Sequence, residues 1–250
     1  MKQGTGRRMI GAFLRSLFIH STWNFWRMQN LGFAFAMIPT IRFLGGNLEN
    51  RSRMLARHLQ LFNTNPYMSG PIIGATMKLE EDSFSDGNCP EVDQLKTTLM
   101  APYAAIGDSF FWGALKPLAA AVGVLLAMKG FFCACLVALL IYNPIHLWIR
   151  LKGFMEGYRK GKDGIEFIKA MNLPRISRRI RWLSVTILSV LALAVSDAAV
   201  FPGACIFETF KKGALLLVIL LCFWMLKRGI SVLGIFYGAS LLLFLVIGLK

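Results

Sequence analysis

Two apolar runs of twelve residues, Pro117–Met128 and Phe131–Tyr142, are separated only by Lys129-Gly130. Each is short of the ~20 residues needed to cross the ~30 Å hydrocarbon core of a bilayer. Extended at its outer end, each becomes long enough. The pair then reads as a hairpin turning at Lys129-Gly130, or as one long kinked helix. We favour the hairpin, because it places both flanking regions on one side of the membrane. The rest of the chain agrees with a bilayer environment. Of its 250 residues, 56% are hydrophobic and 16% charged, against ~25% charged in an ordinary soluble domain, and the mean hydropathy is +0.55.

The net charge of +15 lies beside the apolar segments. Residues 1–58 hold nine Lys or Arg and one acid, and residues 146–181 hold ten and three. This asymmetry marks both regions as cytoplasmic and accounts for the charge without nucleic-acid binding. Three more apolar segments follow, at about 182–201, 213–226 and 229–249, with Lys227-Arg228 as a cytoplasmic turn. Residues 202–212 then lie outside, with Lys211 and Lys212 at the outer interface. The expected fold is an all-α integral membrane protein with amphipathic N-terminal helices, broken and hairpin helices and about five spans. The expected organisation is amphipathic helices over 1–62, a membrane core over 63–150, a basic cytoplasmic segment over 151–181 and transmembrane helices over 182–250.

Shorter segments add detail. Ile10, Phe13, Leu14, Leu17 and Phe18 fall on one helical stripe with Arg7, Arg8 and Arg15 around it. That pattern suits a helix on an anionic membrane surface or one packed on the protein's own core. It is interrupted by arginine, unlike the continuous apolar stretch of a cleavable leader. Residues 31–44 are an apolar run containing Pro39, and 51–62 are amphipathic. Asn63-Thr64-Asn65-Pro66 is a turn signal. Gly70 and Gly74 form a G-x-x-x-G helix-packing pattern in a short apolar segment, 66–79. Residues 80–93 carry Glu80, Glu81, Asp82, Asp86, Glu91 and Asp93 and read as a solvated loop. Four of the five cysteines (Cys133, Cys135, Cys205, Cys222, but not Cys89) lie in or beside apolar runs. They read as buried small apolar residues.

Asp108, Trp112 and Lys116 follow one another at i, i+4, i+8 and so share one helix face. A carboxylate accepts from paired hydroxyls, an indole packs on the C–H face of a sugar ring, and an ammonium donates to further hydroxyls. Together they suit a polyol. An internal Asp108–Lys116 pair, or interfacial charges beside a belt tryptophan, fits the spacing as well. Gly107 and Pro117 bracket the stretch and point to a broken helix of the sort transporters use at binding sites. Asn63 and Asn65 offer amides at another break, where turn formation and capping are the rival reading. His20, His58 and His146 have no partner at metal-ligand spacing, and His58 reads as a polar helix position. No metal, no cofactor and no nucleophile of the chain's own is expected.

Four ordered blocks resemble the IID family of the bacterial phosphotransferase system (PTS), in its mannose/fructose/sorbose branch. Trp23 to Phe33 resembles "WNxxRMQxLGF", Arg57 to Pro66 resembles "RHLxFFNTxP", Leu79-Glu80-Glu81 matches "LEE", and Leu99 to Gly113 resembles "LMGPLAGIGDSxFWG". The resemblance covers most of residues 17–117 and continues as apolar pattern to the C-terminus.

It implies a membrane subunit of the bacterial cytoplasmic membrane, multi-pass, with a cytoplasmic N-terminus. Such a subunit pairs with a IIC subunit of related fold, the pairs assembling as trimers. Sugar passes between the two and is phosphorylated by IIB, supplied through IIA, so the chain itself is non-catalytic. Asp108, Trp112, Lys116, Asn63 and Asn65 would then line the sugar path. The alternative is a structural partner that stabilises IIC without touching sugar. Ala101, Tyr103 and Ala105 replace the family's Gly, Leu and Gly, which should narrow or stiffen the break.

Overall fold

A computed structural model describes residues 4–83, 89–198, 213, 217–218, 220–229 and 231–248. Residues 201–212, expected as an external connection, lie outside the described residues. The chain divides into two compact units, Met1–Ser184 and Val185–Lys250. The described residues form helices and no strand, with only isolated bridges at Asn24–Met28 and Met28–Phe62.

The first unit begins with α1 (Thr5–Ser16), α2 (Asn30–Leu44) and α3 (Leu48–His58). The Asn47 side chain caps α3 by accepting the Asn50 N–H at 2.9 Å, the ordinary remedy for unpaired first-turn amides. A 3-10 turn, Pro66–Met68, leads into α4 (Ser69–Asp82). Next come α5 (Pro90–Gly107), a π-helical stretch (Asp108–Leu115), α6 (Lys116–Met128) and α7 (Ala134–Lys160). After the 3-10 turn Gly161–Ile165 and the short α8 (Glu166–Ala170), α9 (Leu173–Ala198) carries the boundary between the units. Thus α7 runs through position 150 and α9 through position 181, where the sequence pattern places divisions.

The hairpin forms where Lys129-Gly130 predicts it. Gly130 has φ +75°. Its N–H bonds the Ala127 carbonyl (2.9 Å), and the Phe131 N–H bonds the Leu126 carbonyl (3.0 Å). These two bonds are a Schellman closure, which needs the left-handed conformation that glycine supplies without strain. Past the turn the helices touch at Gly123, where a Cβ would lie 3.1 Å from that of Ala138. The helical stretches Pro90–Met128 (39 residues) and Ala134–Gly164 (31 residues) are each long and apolar enough to cross a bilayer.

The most intimate packing joins α4 to α7. Gly70 and Gly74 lie against the Arg150 and Phe154 carbonyls, while Gly153 and Gly157 receive Pro71 in return. A Cβ at Gly153 would be 2.6 Å from Pro71 Cγ. The G-x-x-x-G of α4 is therefore met by a second one on α7, and small residues on both sides allow the backbones to approach. Arg150, buried, reaches across to donate to the Ser16 carbonyl at the end of α1, where a helix C-terminus favours a cation.

Several expectations change. The acidic segment is not one loop: α4 continues to Asp82 and α5 begins at Pro90, so Glu80 and Glu81 are helical. Helical register then turns Glu80 inward, where it is 4% exposed. Three of the cysteines invert, Cys222 is half-buried, and Cys205 lies outside the described residues. Cys89, from the acidic segment, is buried, while Cys133 and Cys135 are exposed near the hairpin tip. A position in an apolar run indicates solvent type, not depth within the protein, and the outer surface of a hairpin in lipid is also apolar. For α1 the packing reading holds on one side of the helix, and the other side is open. Phe13 packs on Phe154 with ring centroids 5.7 Å apart, whereas Ile10, Leu14 and Phe18 stay exposed.

Candidate functional site

The site grows from the Asn63–Pro66 turn. Gln29, buried at the entry to α2, grips this turn with both ends of its amide. Its Nε2 donates to the Thr64 carbonyl (2.7 Å), and its Oε1 accepts the Thr64 N–H (3.2 Å). Asn30 Nδ2 and Arg27 Nη1 donate to the Leu59 carbonyl at 2.8 and 3.1 Å, and Asn24 Nδ2 donates to Asn30 Oδ1 at 2.7 Å. A segment without regular structure needs such partners for its backbone groups once buried.

Fixed in this way, Asn65 divides its side chain between two tasks. Its Oδ1 accepts the Tyr67 N–H (3.1 Å), capping the 3-10 turn, and its Nδ2 donates to Asp108 Oδ1 at 2.9 Å. The two residues are 43 positions apart. Their approach depends on Gly107, where a Cβ would collide with the Asn65 side chain and lie 2.7 Å from Met68 Cγ. Asp108, Trp112 and Lys116 are exposed on the chain, Trp112 at 44%. Among the described residues Asp108 and Lys116 form no ion pair. Asn63 is exposed and makes no hydrogen bond there, so the structure joins Asn65 to Asp108 and leaves Asn63 outside that contact.

The helix does not break at Gly107 and Pro117. It winds wider instead: Asp108–Leu115 is π-helical, with the Lys116 N–H reaching back five residues to the Phe111 carbonyl. Such π-bulges are rare and frequent at functional sites. Just before this stretch, the Tyr103 side chain is buried in the core, while Ala101 and Ala105 are exposed. On the far side of the site, Arg181 of α9 donates to Ser109 Oγ at 3.1 Å.

A second polar cluster escaped sequence reasoning. Glu80 of α4 faces Arg57 and His58 of α3. Arg57 Nη2 donates to Glu80 Oε2 (3.3 Å), and His58 Nε2 lies 3.2 Å from Oε1. Lys96 of α5 adds a bond to the Arg57 carbonyl at 2.9 Å. His58 is fully buried, so it is not an exposed polar helix position. Burial pulls its imidazole below the ordinary value of 6.5, against the opposing pull of Glu80. Nothing in the spacing of Arg57, Glu80 and Lys96 announces this, because the three sit on different helices.

The family model for the PTS system mannose/fructose/sorbose family IID component matches residues 5–249. The chain belongs to this IID family. It is similar to the PTS system mannose-specific EIID component of Escherichia coli K12 (33% identical, covering 99% of this chain and 93% of the relative). It is also similar to the fructose permease IID component of Bacillus subtilis (30% identical, covering 95% and 93%). Two solved structures are similar as well. One, titled only as a membrane protein, has a TM-score of 0.74 at 31% identity, covering 99% of this chain and 96% of the other. The other is a cryo-EM structure of the mannose transporter ManYZ with microcin E492, with a TM-score of 0.62 at 29% identity, covering 100% and 96%.

As a IID component, the chain is a membrane part of a PTS sugar transporter. The four motif blocks now have a common physical basis. The first holds the second through Gln29 and Thr64, the second holds the third through Arg57 and Glu80, and the second meets the fourth through Asn65 and Asp108.

Proposed function

We propose that this IID chain pairs with a IIC subunit in the bacterial inner membrane, and that Asn65, Asp108, Trp112 and Lys116 contribute to the path of a hexose between them. IIB, supplied through IIA, phosphorylates the sugar on the cytoplasmic side, and the chain itself forms and holds the path without catalysing the transfer. About five spans, a cytoplasmic N-terminus and a trimer of pairs complete the arrangement. Asn63, exposed beside the Thr64 clamp, belongs to the same rim.

The observation that carries this reading is the Asn65–Asp108 bond at the π-helical turn. It leaves one carboxylate oxygen, the Trp112 indole and the Lys116 ammonium on an open face. The separation of Lys116 from Asp108 supports it too, since an internal ion pair would neutralise the groups a polyol needs. Asp108→Asn and Lys116→Met, each in the assembled transporter, are expected to impair uptake at normal expression. Normal uptake by both variants would remove the site assignment.

One observation favours a second reading, in which the chain supports IIC without contacting sugar. Both side-chain polar atoms of Asn65 are engaged, Nδ2 with Asp108 and Oδ1 with the Tyr67 N–H, as a structural brace would have them. A sugar-bound structure of the complex separates the two readings by the presence or absence of these side chains at the ligand.

A further inference from the structure

Away from the sugar path, α1 and α2 enclose an open cleft of ≈ 520 Å³ whose polar lining includes Arg7, Arg8, Arg15 and Arg42 and no acid. Two of the four are anchored. Arg8 pairs with Glu81 at 2.9 Å and lies over the Phe43 ring at 3.7 Å from its centroid. Arg15 donates to the Gly11 carbonyl at 2.9 Å and lies over Phe35. The other two, Arg7 and Arg42, are exposed and have no carboxylate partner among the described residues. Four guanidinium groups against a single nearby carboxylate are a binding field for an anion, and guanidinium is suited to phosphate by its planar fork of donors.

The floor and surroundings of the cleft are apolar. Pro39 and Phe43 line it, and Ile10 and Leu14 are exposed on the same helix as Arg7. A small soluble anion would leave these groups in water, and an acidic peptide would have no use for the phenylalanine. A ligand with a phosphate at one end and hydrocarbon at the other satisfies both. In a protein that resides in a membrane, that chemistry is at hand.

We infer that the arginine-lined cleft between α1 and α2 seats one anionic phospholipid, its phosphodiester at Arg7 and Arg42 and its acyl chain along Phe43 and the Ile10–Leu14 face of α1. The lipid then ties α1 to the bilayer surface at a defined point. This does not depend on the sugar-path assignment.

The test uses the full chain purified with its membrane partner in detergent, with phosphatidylglycerol titrated against excess phosphatidylcholine and bound lipid counted by native mass spectrometry. The Arg7→Gln/Arg42→Gln double variant is expected to weaken phosphatidylglycerol retention by about fivefold per arginine, hence ~25-fold. The Arg178→Gln/Arg179→Gln variant removes the same charge from α9 and is expected to retain the lipid as the unmodified protein does. Equal retention by the Arg7/Arg42 variant would overturn the inference, and so would equal uptake of phosphatidylcholine. Binding of glycerol 3-phosphate as tight as that of the lipid would identify a soluble-anion site and overturn it as well.

Discussion

Replacing Gly107 with alanine tests the central contact directly. The new methyl would meet Asn65 Cβ and Cγ and Met68 Cγ, the last two at 2.6 and 2.7 Å. Ordinary contacts begin near 3.4 Å, so the turn must retreat by most of an ångström. The Asn65–Asp108 bond, now 2.9 Å, would stretch past the useful limit. Overpacking contributes about 1–3 kcal/mol. Loss of a hydrogen bond to a charged group adds ~1.5–3 kcal/mol. Better helix propensity of alanine returns ~1 kcal/mol. The net cost is about 1.5–5 kcal/mol. Gly113→Ala is the matched control, on the same π-helical stretch. Its nearest neighbour would be the Asp108 carbonyl at 3.4 Å, an ordinary contact. Thermal unfolding in detergent and sugar uptake in cells should both separate the two variants, with Gly107→Ala impaired and Gly113→Ala close to the parent. Equal behaviour would mean that the close approach of Gly107 to Asn65 does not hold the site together.

Two further substitutions and a control probe the scaffold. His58 is held below its ordinary pKa of 6.5 by burial, so below that pH the unfolded chain takes up a proton that the folded chain resists. Stability should therefore fall as pH drops through 6.5, by at most about 1.4 kcal/mol per pH unit, and His58→Gln should flatten this part of a melting-temperature profile. At Gly157 a Cβ would meet the Pro71 carbonyl and come within 3.0 Å of the Ala75 backbone nitrogen, atoms that cannot swing aside. Gly157→Leu should lower stability by ~3 kcal/mol or more and reduce the amount of folded protein recovered. Gly238→Leu, with no atom of the described residues within 4 Å of its Cβ, should be recovered normally.

The amino-acid sequence by itself determined the kind of environment, the hairpin and the pairing signals. Apolar run length and basic flanks fix membrane residence, because a bilayer core penalises charge whatever the tertiary contacts are. Lys129-Gly130 fixed the turn, since only the left-handed conformation at Gly130 completes the closure of α6. The i, i+4, i+8 spacing put Asp108, Trp112 and Lys116 near one another along one stretch of helix, and that much is local geometry.

What only the tertiary structure decided is which faces found partners. Glu80 and His58 look like solvent-facing polar residues until α3, α4 and α5 close around them. Asn65 and Asp108 are 43 positions apart, and nothing in either neighbourhood indicates that a glycine will let them touch. The π-helical winding replaced the expected break because a shift from four- to five-residue hydrogen bonding keeps the helix continuous, with the Lys116 N–H still paired to the Phe111 carbonyl, where a true break inside an apolar helix would leave more backbone groups unpaired. Periodicity reports the faces of one helix at a time. The match between faces depends on long-range closure, and the candidate site is made of such matches.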